Sequence, residues 1–370
     1  MNGTLAVVLF VVAILLVILI HEAAHFGTAK LFGIKVEEFF VGFGPRLWSF
    51  RRGETEYGVK ALPLGGYVRI AGMNPFQEPT PEEYPRTFGA KPGWQRALVI
   101  VAGPATHFVV AFALFAAFLA FSGDPTRPQV GAVERTLSGR ATPASIAGLE
   151  PGDRIVGIGP ITNPSTAQVI SYTYRHAGDA TRLVIRRDGH DIVKTVTPIP
   201  ARVPGFRHPV GRIGVSLGPT KTGPVQSVVQ GGTLLGKAMA ATVGNLGRVF
   251  GPEGLRRIVD LLFGTAHRRP TDVTSVVGVG RAVGQAAGDP FLVLFILASV
   301  NVFVGILNLV PLPPFDGGHL AVVAYEKIRR RKVDMRKLVP VTAVVAAFLM
   351  LFMISVLYLD IVKPIPDVFR

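Results

Sequence analysis

The sequence predicts a polytopic α-helical membrane protein with four transmembrane helices, a membrane-associated β-hairpin region and an inserted extracytoplasmic α+β domain. Three observations carry this. Of 370 residues, 49% are hydrophobic and the mean hydropathy is +0.42, too apolar for an average soluble protein and too polar for a bundle of membrane helices alone. Four apolar runs reach the length a membrane helix needs, about 20 residues. Between the second and third runs the pattern switches to short alternating strands separated by turn residues.

The first span covers about Leu5 to Phe26, and Leu5 to Ile20 contains only Leu, Ala, Val, Phe and Ile. It lacks a basic leading region and a small-residue cleavage site, so it reads as a retained helix rather than a signal peptide. The second covers Ala97 to Phe121, with Thr106 and His107 as its clearly polar members; the third, Phe291 to about Leu312, contains Asn301 and Asn308; the fourth covers about Val339 to Leu359. Basic residues collect between spans one and two, from Lys35 to Arg96, and between spans three and four, at Lys327 to Lys332 with Arg336 and Lys337. Both connections are therefore expected in the cytoplasm, with the amino terminus and the long 122–290 segment outside. The net charge of +15 is spread along the chain, which argues against a nucleic-acid partner. No cysteine is present, which excludes thiolate-bound metal and disulfides.

Within 36–70, short strands are expected at Leu47–Phe50, Thr55–Lys60 and Tyr67–Ile70, punctuated by Gly42-Phe43-Gly44-Pro45 and Leu62-Pro63-Leu64-Gly65-Gly66. The Pro- and Glu-rich stretch 74–93 reads as a loop. In the outer segment, strands are expected at Gln129–Val133, Arg154–Ile158, Arg182–Arg186 and Val193–Thr197, with a hairpin turn at Asp188-Gly189 and a helix over Ser165–His176. The run Ala147-Gly148-Leu149-Glu150-Pro151-Gly152-Asp153-Arg154-Ile155 resembles the signature of a PDZ domain, with a binding loop expected near Ala144–Leu149. An amphipathic helix interrupted by glycines is expected over 233–263. The resulting division is 1–30 for helix one, 31–94 for the hairpin region and loop, 95–122 for helix two, and 126–215 for the PDZ-like domain. It continues with 216–288 as an amphipathic helical linker, 289–318 as helix three, 319–338 as a basic cytoplasmic loop, 339–360 as helix four and 361–370 as a tail.

The chemistry begins where the first span ends, at His21-Glu22-Ala23-Ala24-His25. A helix through this run puts His21 and His25 on one face, one turn apart. Two imidazoles at that spacing can grip one zinc ion, with the intervening Glu22 as general base on a water that the metal polarises. The motif is short and recurs by chance, so its weight comes from its partner. Zinc needs another protein ligand, and Asn308-Leu309-Val310-Pro311-Leu312-Pro313-Pro314-Phe315-Asp316-Gly317-Gly318 breaks the third span with prolines and supplies a carboxylate. Irregular backbone at that depth is tolerated mainly where it lines a cavity, and a carboxylate there needs a partner or a metal. Spans one and three end on the same side, so His21, His25 and Asp316 can reach one level.

Together, His-Glu-x-x-His in span one and Asn-x-x-Pro-x-Pro-x-x-Asp-Gly in span three resemble the site-2 protease family of intramembrane zinc metalloproteases. The single PDZ-like insertion and the two glycine-rich punctuations are similar to the bacterial branch that cleaves anti-sigma factors. The resemblance covers nearly the whole chain. It implies one Zn2+ held by His21, His25 and Asp316, Glu22 as the catalytic base, and Asn308 as a substrate contact. It also implies that the 36–70 region pairs with an unwound substrate as an added strand, with Leu64, Gly65 and Gly66 either part of that edge or a plain turn. The implied substrate is a single-span membrane protein such as an anti-sigma factor, already cut once outside the membrane, as in regulated intramembrane proteolysis. The PDZ-like domain then binds a peptide or trimmed substrate end, or blocks bulky substrates. The sequence departs from the family at His107, where relatives usually carry Asn; an interhelical hydrogen bond is the expected role. Two rivals remain at this level: a membrane-anchored PDZ scaffold with a vestigial histidine pair, and an ion transporter, which four spans without internal repeats do not favour.

Overall fold

A computed structural model describes residues 2–74, 76, 79–137, 139–202, 208–269 and 271–365, the side chain of Leu64 excepted. In chain order the elements are α1 (Gly3–Leu31), β1 (Val36–Arg52), β2 (Thr55–Ile70), α2 (Gly93–Ser122), β3 (Asp124–Val133), β4 (Thr136–Leu137), β5 (Arg140–Ala141), α3 (Pro143–Ile146), β6 (Arg154–Ile158) and β7 (Ile161–Thr162). There follow α4 (Thr166–Arg175), β8 (Thr181–Arg187), β9 (His190–Val196), β10 (Ile199–Ala201), β11 (Val210–Arg212), β12 (Val215–Thr220), α5 (Pro224–Phe250), α6 (Pro252–Leu262), α7 (Val276–Gln285), α8 (Pro290–Asn308), α9 (Asp316–Arg329) and α10 (Val339–Val362). Among the described residues, four helical segments are long and apolar enough to cross a membrane: Gly3–Leu31, Gly93–Ser122, Pro290–Asn308 and Met335–Val362. The chain divides into two compact units, Met1–Phe115 with Gly231–Arg370, and Ala116–Gln230.

In the first unit, α1 starts where the Asn2 side chain accepts the Leu5 amide at 2.8 Å, a capping contact that satisfies one of the helix's orphan donors. Its buried positions are Ala6, Phe10, Val17, His21, His25 and Ala29, a stripe at helical spacing. Val8, Val12 and Leu16 on other faces are about half exposed, as lipid-facing residues should be. His21 lies 18 residues beyond Gly3, about 27 Å along the axis, close to the ~30 Å thickness of a hydrocarbon core. The histidines thus belong to the packed stripe at its far end. Near the other end, α7 packs against α1 in a core that joins Ala6 and Phe10 to Val283 and Ala287.

The 36–70 region is more regular than its sequence suggests. Instead of three short strands it forms β1 and β2, whose register shows each strand used twice. Around the Arg52–Thr55 turn they pair as a hairpin, from Arg52 with Thr55 to Trp48 with Val59; farther on, Val36 pairs with Ile70 and Val41 with Gly66. Phe39 pairs with Tyr57 and Val41 with Val59, pairs that advance in one direction along both strands. The ribbon is therefore folded into four lanes, with Gly66–Ile70 as an outer lane beside 36–41. The fold-over needs Gly42, which has φ of 89° and whose Cβ, if present, would meet the Leu62 carbonyl at 2.7 Å.

In the second unit, the main sheet runs in the order β12-β3-β6-β8-β9, with β7 on β6. The β8–β9 hairpin turns on Asp188 and Gly189, both with positive φ, which matches the twist of the flanking strands. Helix α4 carries a complete capping box between Ser165 and Gln168. Ile155, Ile158, Val169, Leu183, Ile185 and Ile213 are core members. The sheet reaches from Asp124 to Thr220, wider than the expected 126–215, because β12 pairs with β3 along most of its length. In the segment expected to hold a binding loop, Ala144 and Leu149 are buried in the core, while Ile146 between them is exposed.

Four further expectations change. The amphipathic helix expected over 233–263 with glycine interruptions is two helices, α5 and α6, which break at Gly251, and the 216–288 linker also contains α7. The third span ends at Asn308, not near Leu312, and 309–315 is irregular, as three prolines within 311–314 require. The expected loop 319–338 is helical as far as Arg329; Lys327 and Arg329 occupy the last turn of α9, where cations complement the helix dipole, and the other basic residues follow the helix. The tail is helical to Val362, and 366–370 lie outside the described residues.

Asp153 anchors the second unit. It is buried, accepts the Glu150 amide at 2.9 Å and receives Nε and Nη2 of Arg187 at 2.7 and 2.8 Å. Burial pushes its carboxyl up, but the Arg187 hydrogen bonds outweigh this and hold it below the ordinary carboxylate value. Asp153→Asn should destabilise this unit of the full-length protein by about 1–3 kcal/mol, read as a lower melting temperature. Since the folded value lies below the unfolded one of about 3.9, the contribution is present at neutral pH and lost as pH falls through the folded value. The melting gap between wild type and variant should therefore shrink as the pH is taken from about 6 towards 3.

Candidate metal centre

His21 and His25 sit one turn apart on the buried stripe of α1, and Asp316 is the first residue of α9. Their approach depends on the irregular 309–315 segment doubling back on α9: a Cβ on Gly317 would lie 2.3 Å from the Val310 carbonyl. The three ligand atoms form a small triangle. His21 Nε2 and His25 Nε2 are 3.1 Å apart, and they lie 3.3 and 3.4 Å from Asp316 Oδ2. Zinc with bonds of about 2.0–2.1 Å in a tetrahedron has ligand atoms about 3.3–3.4 Å apart. The triangle matches that edge length, so these residues fit the ion. Among the described residues, this is the one group of three or more such side chains close enough to hold a metal.

The proton on His25 is placed by its neighbour. Its Nδ1 lies 2.7 Å from the Val99 carbonyl, which can only accept, so Nδ1 donates and Nε2 presents a lone pair to the triangle. The carbonyl comes from the turn of α2 just before Pro104, whose ring cannot donate to Ile100. In the same turn, Gly103 lies against the imidazoles: a Cβ there would stand 2.1 Å from His25 Nε2 and 2.8 Å from His21 Cε1. His107, one turn on, is buried, with its ring centroid 5.0 Å from that of His21. Asn301 donates to the Leu297 carbonyl at 2.8 Å, which leaves its Oδ1 to accept His107 Nδ1 at 3.0 Å. His107 thus bonds α2 to α8, as expected, and is not part of the metal-type cluster.

Glu22 is half-buried between α1 and the outer lane of the sheet. The Val68 amide faces its carboxylate, and a Cβ on Gly66 would lie 3.4 Å from Glu22 Cγ. Gly65 approaches the same helix one turn earlier, where its Cβ would lie 3.9 Å from Ile18 Cγ2. Gly65 and Gly66 therefore run along α1 beside the histidines. Leu64 belongs to β2, and its side chain lies outside the described residues. Asn308 is half-buried at the last position of α8, separated from Asp316 by the irregular segment; none of the contacts above brings its amide to the triangle.

Residues 9–352 match the sequence profile of Peptidase family M50. The chain belongs to this family. Among curated members, Zinc metalloprotease Rip1 of Mycobacterium tuberculosis is 35% identical over 405 residues, spanning 97% of this chain and 98% of that protein. Rip1 of Mycolicibacterium smegmatis is also 35% identical, with 98% of each covered. Metalloprotease MmpA of Caulobacter vibrioides is 31% identical over 358 residues, 87% of this chain and 86% of that protein. This M50 member is a multi-pass membrane zinc metalloprotease, and the scaffold and transporter readings fall away.

Sequence reasoning missed two supports of the M50 site, the Val99 carbonyl and Gly103. A backbone acceptor leaves no side-chain signature, whereas Gly103-Pro104 at the depth of the histidines was a usable signal. Gly103→Ala should force the imidazoles apart and lower the zinc bound per chain by more than half, measured by elemental mass spectrometry on protein whose helical content is unchanged.

Proposed function

We propose that this M50 peptidase cleaves single-span membrane proteins within or at the edge of the bilayer. Anti-sigma factors are the favoured substrate class, after a first cut by another protease outside the membrane. The observation that carries the reading is the zinc-sized triangle of His21, His25 and Asp316 at the ends of apolar helices. Bound zinc would supply Lewis acidity, polarising a carbonyl and lowering the pKa of water to about 7.

The chain's own residues do the rest. His21, His25 and Asp316 hold the ion, and the Val99 carbonyl keeps His25 in the ligating tautomer. Glu22 takes a proton from the water that adds to the scissile carbonyl, and delivers it to the amide nitrogen as the C–N bond breaks. A substrate helix hides its amides in its own hydrogen bonds, and unwinding it near lipid costs several kcal/mol per freed group, as an order of magnitude. The outer lane Gly66–Ile70, next to Glu22, offers strand hydrogen bonds in exchange; Leu64, Gly65 and Gly66 lead into it, and Asn308 contacts the unwound segment.

The amino terminus lies outside and the site near the cytoplasmic face of the bacterial plasma membrane, as the basic flanks indicate. The second unit acts as an extracytoplasmic PDZ-like domain. A groove of about 370 Å3 between α4 and residues 211–217, with Val169, Ile170, Ile213 and Val215 among its lining, supports capture of a trimmed substrate's peptide end by strand addition.

The decisive experiment is reconstitution in lipid with a single-span substrate, with and without a zinc chelator. Wild type should cleave and the chelator should stop it. Glu22→Gln should lower cleavage by about 10²–10⁴-fold while retaining one zinc. Asp316→Asn should lose zinc as well as rate; normal zinc content and turnover in that variant would remove Asp316 from the site.

A further inference from the structure

We propose that the groove between the start of α2 and the second half of α9 binds an anionic phospholipid of the surrounding membrane, and that this lipid braces the two helices supporting the metal centre. The groove has a volume of about 840 Å3, within the range of ligand clefts, about 300–1,000 Å3. It is amphiphilic along its length. One wall is an apolar stripe of α2, Trp94, Leu98 and Val101; the other is Leu320, Val323 and Ala324 of α9. Both sets fall at helical spacing, so each helix turns one apolar face into the groove. Trp94 and Leu98 remain 59% and 49% exposed, apolar surface at the first turns of a membrane-length helix.

The other end of the groove is cationic. Five basic residues, Arg96, Lys327, Arg330, Arg331 and Lys332, line it with one acid, Glu326. That acid is already satisfied by Arg96 at 2.6 Å, by Lys332 at 3.8 Å and by the Val333 amide at 2.9 Å. Lys327, Arg330 and Arg331 are exposed and make no ion pair among the described residues. Arg96 is the most buried of the five basic residues. It is only 7% exposed, and its Nε has no hydrogen-bond partner among the described residues. A buried donor without an acceptor is costly, and Arg96 lines this groove. Cations at one end call for a phosphate, and an apolar trough running from them calls for the chain attached to it. A free anion would cover the first and leave the second bare; a phospholipid covers both.

The groove is coupled to the metal centre by its walls. Val99, on the turn between Leu98 and Val101, packs with Val323 and with Ala29 of α1 in one core, and its carbonyl receives His25. Helix α9 begins with Asp316. A lipid holding α2 against α9 therefore holds two of the three elements that set the triangle.

The test uses full-length protein, delipidated in detergent, offered phosphatidylglycerol or phosphatidylcholine with the same acyl chains, or inorganic phosphate alone. Native mass spectrometry reads retained lipid, and thermal melting reads bracing. Phosphatidylglycerol should be retained at least about fivefold over phosphatidylcholine, the effect of one basic residue near an anionic surface, and should raise the melting temperature. The double variant Arg330→Gln/Arg331→Gln should lose that preference. So should Leu98→Trp, which fills the trough without changing charge, at wild-type zinc content. Equal retention of the two lipids, an unchanged preference in either folded variant, or equal stabilisation by inorganic phosphate would overturn the proposal. If Leu98→Trp fails to fold, the arginine variant, built on exposed positions, still decides it.

Discussion

Two imidazole nitrogens and a carboxylate oxygen stand within 3.4 Å of one another at the end of an apolar helix. Ionisable groups at membrane depth are costly unless they pair with one another or hold a cation, and this triangle has the size for both. Much of the first unit can be understood as what that convergence demands. Helix α1 must keep its histidines on the packed stripe. The third span must stop early so that 309–315 can double back and present Asp316. A third helix must close over the pair without adding volume.

That third helix, α2, does more than fill space. It supplies the Val99 carbonyl to one ligand, reaches α8 through His107 and Asn301, and reaches α9 through the buried ion pair of Arg96 and Glu326. Each contact is polar and lies within or next to an apolar segment, where an unpaired group is costly and alternative partners are few. The site is therefore held by directional bonds, which specify one arrangement of helices better than apolar packing between lipid-like surfaces can.

How much of this was legible depended on whether the information lay in side-chain pattern. The four spans, the histidine pair and the Asp188-Gly189 hairpin were, because length, helical spacing and turn chemistry are written along the chain. Asp316 was legible because prolines beside a carboxylate are out of place in an apolar run. The folding of β1 and β2 into four lanes was not: alternation marks a strand but does not name its partners, and one residue such as Val41 pairs with both Val59 and Gly66. Helix α9 was hidden because its terminal Lys327 and Arg329 look the same in a loop that anchors topology. Gly103 and Val99 act through backbone, where residue identity says little about contact.

Gly103 has one more consequence. Its main chain lies so near His25 Nε2 that even a methyl group has no room, so α2 seals the imidazoles from behind. Whatever reaches these nitrogens must therefore come from a side other than the one α2 occupies. The approach to the imidazoles is thus limited by a residue that has no side chain of its own.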